Sequence, residues 1–150
     1  MAIPLIILGS VGLSALVALL GGEKDDTFTN ADIISDYLCN ATDFKTDVHL
    51  KQHVTRVINS RVLPKHRFFK IGKSGSVNAR IDEHKSKQPL PKYKKMYLLV
   101  RSTDKTVINK LEAYYNHHYI QHHKNDNKRG GSAGQMSSVD HFYYLYVVVR

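Results

Sequence analysis

Three things are scarce in this chain, and each scarcity narrows what it can be. Cysteine occurs once, at Cys39, which excludes an internal disulfide and fits a reducing compartment. Charge is absent from residues 1–22, MAIPLIILGSVGLSALVALLGG. About 20 apolar residues cross a ~30 Å hydrocarbon layer, so this segment reads as a transmembrane helix. A secretory signal peptide would carry a basic start, which is missing, although Gly21 and Gly22 leave cleavage open; a buried core helix is the other alternative. Gly9, Ser10, Gly12, Ser14, Ala15 and Ala18 are small enough for close helix contact in lipid, which points to self-association of the span. Acids are scarce late in the chain. Residues 51–150 hold six Asp and Glu against twenty Lys and Arg, a net charge of +14.

A segment this basic calls for a polyanion, which it would bind by releasing counterions from phosphates. Nucleic acid, DNA foremost, is the first partner to expect, and anionic lipid is the alternative because the span lies next door. Residues 23–47 are the opposite, with seven acids against Lys24 and Lys45, a net of −5. Up to residue 50 the chain reads as an acidic spacer with one short helix, capped by Thr29 or Asn30 and holding Ile33, Ile34, Tyr37 and Leu38. With Lys and Arg absent before the span and abundant after it, the protein reads as single-pass, its C-terminal part cytoplasmic or virion-interior. The 150 residues suffice for one domain, here residues 51–150.

Within that basic part, Leu50, Val54, Val57 and Ile58 keep helical spacing where a first strand would also fit, and both readings stand. Phe68, Phe69 and Ile71 suit a buried strand that ends at Gly72 and Gly75, with Lys73 in the turn. Ser76 then caps a helix with Val77, Ile81 and His84 at helical spacing, which Pro89 and Pro91 end. Tyr93 to Arg101 reads as a strand, and Ser102 and Asp104 open a helix running to about His122 with Val107, Ile108, Leu111, Tyr115 and Tyr119 on its buried side. A polar loop over 124–138 leads to a closing strand over His141 to Val149, so the class is α+β. His118 and His122 stand at zinc-ligand spacing, but no cysteine or carboxylate accompanies them, and with His117 and His123 they read as a polar helix end. The tyrosines of the last helix and strand, Tyr146 among them, read as packing before base-stacking platforms, with room for one or two to do both.

The stretch Phe68–His84, FFKIGKSGSVNARIDEH, carries a resemblance. Lys70-Ile71-Gly72, Arg80 eight residues after Gly72, His84 one turn later, and Glu112 on the later helix resemble the GIY-YIG nuclease superfamily in its phage and mobile-element branch, whose second motif reads Lys-Ile-Gly. Asn127 matches an asparagine that follows the family's glutamate. The resemblance covers roughly residues 54 to 146. It implies a central antiparallel sheet flanked by helices. It also implies that Glu112 holds a Mg2+ or Mn2+ ion on the scissile phosphate, that Arg80 neutralises transition-state charge, and that His84 assists proton transfer or positions the phosphate. The family's two motif tyrosines, which position or deprotonate the attacking water, have no counterpart at the matching places. Asn59, at the end of Arg56-Val57-Ile58-Asn59, and Lys70 stand there instead, and Lys70 or Lys73 is a substitute base if its pKa is lowered.

Arg67, Lys70, Lys73, Lys85, Lys87, Lys94, Lys95 and Asn127 are the expected nucleic-acid contacts. The expectation is therefore a membrane-anchored nucleic-acid-binding protein of GIY-YIG endonuclease type, hydrolysing DNA with a divalent metal. Its competitors are an inactive relative that holds nucleic acid at a membrane, for instance in a membrane-containing virion, and an anionic-lipid module that needs no Glu112.

Overall fold

The computed structural model describes residues 28, 30–86, 92–127 and 135–150. The expected membrane span over 1–22, its self-association and Lys87 lie outside them. Among the described residues no helix is long and apolar enough to cross a membrane. In chain order the elements are β1 (Ile33–Ile34), β2 (Cys39–Asn40), α1 (Asp47–Val57), β3 (Phe69–Ser74), α2 (Val77–Ser86), β4 (Lys95–Ser102), α3 (Lys105–His118) and β5 (Tyr143–Val149). Local chemistry sets the helix starts. The Thr46 side chain accepts the His49 N–H at 3.2 Å to open α1, and Asp104 accepts the Thr106 N–H at 2.9 Å to open α3.

β5 is the strand around which the rest is laid. It pairs antiparallel with β3 on one side and β4 on the other, and β1 and β2 add short parallel pairings to the outer edge of β4. The sheet is thus mixed, with an antiparallel centre. Both faces of β5 are buried, which explains a run as uniformly apolar as YYLYVVV. Leu145, Val147 and Val149 pack with Phe69, Ile71 and the apolar stripes of α1 and α3. Tyr144, Tyr146 and Val148 pack with Met96, Leu98 and, from α2, Val77 and Ile81. Helices therefore cover both faces, α1 and α3 on one and α2 on the other.

Three local expectations give way to tertiary structure. The stretch Arg56–Asn59 is no strand: α1 runs on through a π-helical turn over Ile58–Val62, since Leu50, Val54, Val57 and Ile58 bury one helical stripe. The short helix expected around Ile33–Leu38 is replaced by strand. Asn30 Oδ1 accepts the Asp32 N–H at 2.8 Å in a turn, and the β-branched Ile33 and Ile34 then pair with Met96 and Tyr97 on β4. Residues assigned to a spacer thereby contribute two strands to the sheet. Finally, α3 stops at His118, not His122. The turn beyond it is closed by Asn125 Nδ2, which donates to the Tyr119 carbonyl at 2.9 Å, and by His122 Nδ1, which accepts the Lys124 N–H at 3.1 Å.

Candidate functional site

β3 is an edge strand, and its alternation sends successive side chains to different helices. Phe69 and Ile71 enter the α1/α3 layer, and Lys73 follows them onto that face. Gly72 belongs to the opposite face, where its register partner Tyr146 lies across it. A Cβ at position 72 would stand 2.5 Å from the Tyr146 hydroxyl oxygen and ring, so only glycine admits this approach. The Tyr146 hydroxyl is thereby brought to the sheet edge, 2.9 Å from His84 Nε2 on α2. Tyr146 and Tyr93 flank the imidazole edge-on, with ring centroids at 5.7 and 5.4 Å.

Burial pushes the Tyr146 phenol well above its ordinary value; the Arg80 charge pulls it back, and Glu112 and Glu83 push it further up. The hydroxyl is therefore neutral at ordinary pH. It is also the point on which the charges of Arg80, from α2, and Glu112, from α3, both bear. Arg80 itself is 41 % exposed and donates to Glu83 Oε1 at 2.8 Å, an exposed pair that adds little to stability.

On the other face Glu112 is 3 % exposed. The Lys73 ammonium lies 3.6 Å from its Oε1 and donates to Asn109 Oδ1 at 2.9 Å, one turn back on α3. One turn forward, Asn116 Nδ2 donates to the Glu112 carbonyl at 3.0 Å, and Asn127 Nδ2 donates to Asn116 Oδ1 at 2.9 Å. Asn127 thus reaches the Glu112 helix through Asn116, as a fastener of the 119–127 turn.

The remaining expected contacts divide by position. Lys70 lies two residues from Gly72 on the α2 face, opposite Val148. Lys85 is ion-paired with Asp32 ahead of β1. Arg67, Lys94 and Lys95 lie at the far end of the sheet, where the Arg67 N–H meets the Arg150 carbonyl and the Lys94 N–H the Val149 carbonyl, roughly 15–20 Å of strand away from Ser74 at ~3.3 Å per residue. There Arg150 makes a two-pronged contact with Asp126, at 3.0 Å to each oxygen, and the Tyr93 hydroxyl donates to the same carboxylate at 2.8 Å. Asn59 is remote in role: its Oδ1 accepts the Tyr119 hydroxyl at 2.7 Å and ties the π-helical turn to the end of α3. Among the described residues no three His, Cys, Asp or Glu side chains gather as metal ligands would.

Tyr146, Asn109 and Asn116 are the site residues that reading the chain in order misses. Tyr146 sits in an unbroken apolar run, and its pattern is that of packing; only the pairing of the last strand beside Lys70-Ile71-Gly72 sets its hydroxyl apart. Asn109 and Asn116 share the Glu112 face at three- and four-residue spacing, a signal that was legible. Compared with known proteins, the chain matches no family model, no curated protein and no solved structure.

Proposed function

We propose that this chain is a nucleic-acid-binding protein of GIY-YIG type whose phosphate site lies at the edge of the sheet, between Gly72 on β3 and Arg80 on α2. One observation carries the reading: the Tyr146 hydroxyl stands over Gly72, bonded to His84, under the joint influence of Arg80 and Glu112. The family's first-motif tyrosine is sought just before Lys70-Ile71-Gly72. Here an aromatic hydroxyl comes to the same strand from β5, the last strand of the chain, which pairs antiparallel with β3 as a preceding strand would. Arg80 offers a half-exposed guanidinium suited to a phosphate, and the +14 charge of residues 51–150 supplies the long-range attraction.

Hydrolysis is the second reading, and the Tyr146–His84 bond favours it. A neutral phenol orients a water by hydrogen bonding without removing its proton; histidine, the side chain that exchanges protons near neutrality, stands beside it. A divalent ion on Glu112 fits poorly, because that carboxylate is buried and already faces an ammonium at 3.6 Å. No step is therefore routed through a metal. Residues 1–22 complete the proposal as a membrane anchor that holds the domain on the cytoplasmic or virion-interior side.

Binding of a DNA duplex titrated with salt tests the main reading, with an expected log–log slope of roughly −4 or steeper. A flat response overturns it, and anionic vesicles that compete as well as DNA transfer the site to lipid. For the anchor, the full chain should resist carbonate extraction from membranes while a chain starting at Thr27 is soluble. Full-length protein that stays in solution without detergent refutes the span.

A further inference from the structure

We propose that Lys73 is the resident cation of the Glu112 carboxylate, so that this carboxylate takes no divalent ion and phosphate on the Arg80 face is held without one. The inference rests on the functional reading in one respect, that Glu112 is the carboxylate the resemblance makes a metal ligand. The side chains of Lys73 and Glu112 are 8 % and 4 % exposed, and a carboxylate and an ammonium shielded to that degree persist as charges only when each answers another. Their placement is fixed from both sides. Lys73 is held by the β3–β5 ladder opposite Leu145, and its ammonium is anchored to Asn109 Oδ1, which sits one turn from Glu112 on the same helix. Glu112 is held in turn by α3, whose next turn is fastened through Asn116 and Asn127.

A divalent ion at Glu112 would have to settle beside that ammonium, where like charges repel in a site with little water to screen them. Lysine as a built-in cation differs from a metal in one testable way: it cannot be chelated.

The test needs no nucleic acid, so its failure and the failure of the binding reading are distinguishable. Mn2+ added to the wild-type protein is followed by electron paramagnetic resonance, alongside Glu112→Gln and Lys73→Met. The wild type should bind no Mn2+ that Glu112→Gln abolishes. Lys73→Met, which keeps the length of the stem and removes the charge, should acquire one Mn2+ per chain, and Lys73→Met/Glu112→Gln should lose it again. Wild-type protein that binds one Mn2+ in a Glu112-dependent way overturns the proposal, and so does a folded Lys73→Met protein that binds none. If Lys73→Met does not fold, the wild-type and Glu112→Gln measurements decide alone.

Discussion

On the α3 face of β3 a shielded ammonium and a buried carboxylate stand beside each other among asparagines, whereas on the α2 face a buried tyrosine hydroxyl is hydrogen-bonded to a histidine of the helix that also carries the half-exposed Arg80. Lys73, Glu112, Asn109, Asn116 and Asn127 form the first set, and a ligand entering there must break an ion pair that is already made. Tyr146 and His84 form the second, on the face whose helix carries the half-exposed guanidinium of Arg80. One strand thus separates a buried ion pair from the face proposed to take phosphate, with Gly72 and Lys73 as adjacent residues on opposite sides of the division. A charged side chain near a motif glycine is not a site residue by proximity alone; the face on which it lies decides what it can touch.

Halving the ion pair should have the largest effect. Lys73→Met takes the ammonium away from the buried Glu112 carboxylate and should cost about 3–5 kcal/mol of stability, most of it recovered in Lys73→Met/Glu112→Gln, as denaturant melts would show. Equal stability of wild type and the single variant would mean that the pair is no lock. Next is Gly72→Ala, whose methyl collides with the Tyr146 ring; overpacking of this kind should cost about 1–3 kcal/mol, measured as a lower Tm. Should Gly72→Ala melt as wild type does, Tyr146 does not lie where the site requires it. Tyr146→Phe then sharpens the contrast: it removes one hydrogen bond to His84, about 1 kcal/mol, while any cleavage by the protein should fall far more than stability does. An equal loss of both would reduce Tyr146 to packing.

Acid should act through a different pair of groups. Burial, reinforced by Lys65, Lys95 and Lys124, lowers the pKa of His66, and burial with Arg56 lowers that of His53, each from 6.5. The folded state then binds fewer protons than the unfolded chain. The contribution is neutral above the unfolded value, and stability is lost as pH falls below 6.5 toward the folded values. Melts from pH 7.5 to 5 should show that decline, and His66→Gln, which keeps a polar group beside the Tyr97 hydroxyl, should make it shallower. An unchanged slope in the variant would remove His66 from the account.

Much of the α+β fold is written locally. The strand through Gly72, the helix with Val77, Ile81 and His84 buried, and the helix opened by Asp104 all follow from spacing and caps that neighbours in the chain supply, although the strand runs on to Ser74, so that Lys73 lies on its ladder to β5 and not in the expected turn. What local pattern does not carry is pairing. Ile33 and Ile34 look like part of a helical turn until β4 offers them a ladder, and Arg56–Asn59 fits a strand position until the stripe of α1 is buried. The site shows the same division. Arg80, His84 and Glu112 are legible as residue types at suggestive spacings. That Tyr146 meets His84, or that Lys73 answers Glu112, depends on which strand lies next to β3 and which helix covers each face, and those are decided by the whole core.

The central claim is that the α2 face, through Arg80, receives the phosphate. DNA affinity of wild type and Arg80→Ala measured across a salt series tests it most directly, because Arg80 is an exposed partner of Glu83 whose loss should leave the fold intact. Arg80→Ala should bind more weakly than wild type at every salt concentration, with a log–log slope shallower by about 1. Binding by Arg80→Ala with the affinity and slope of wild type would contradict it.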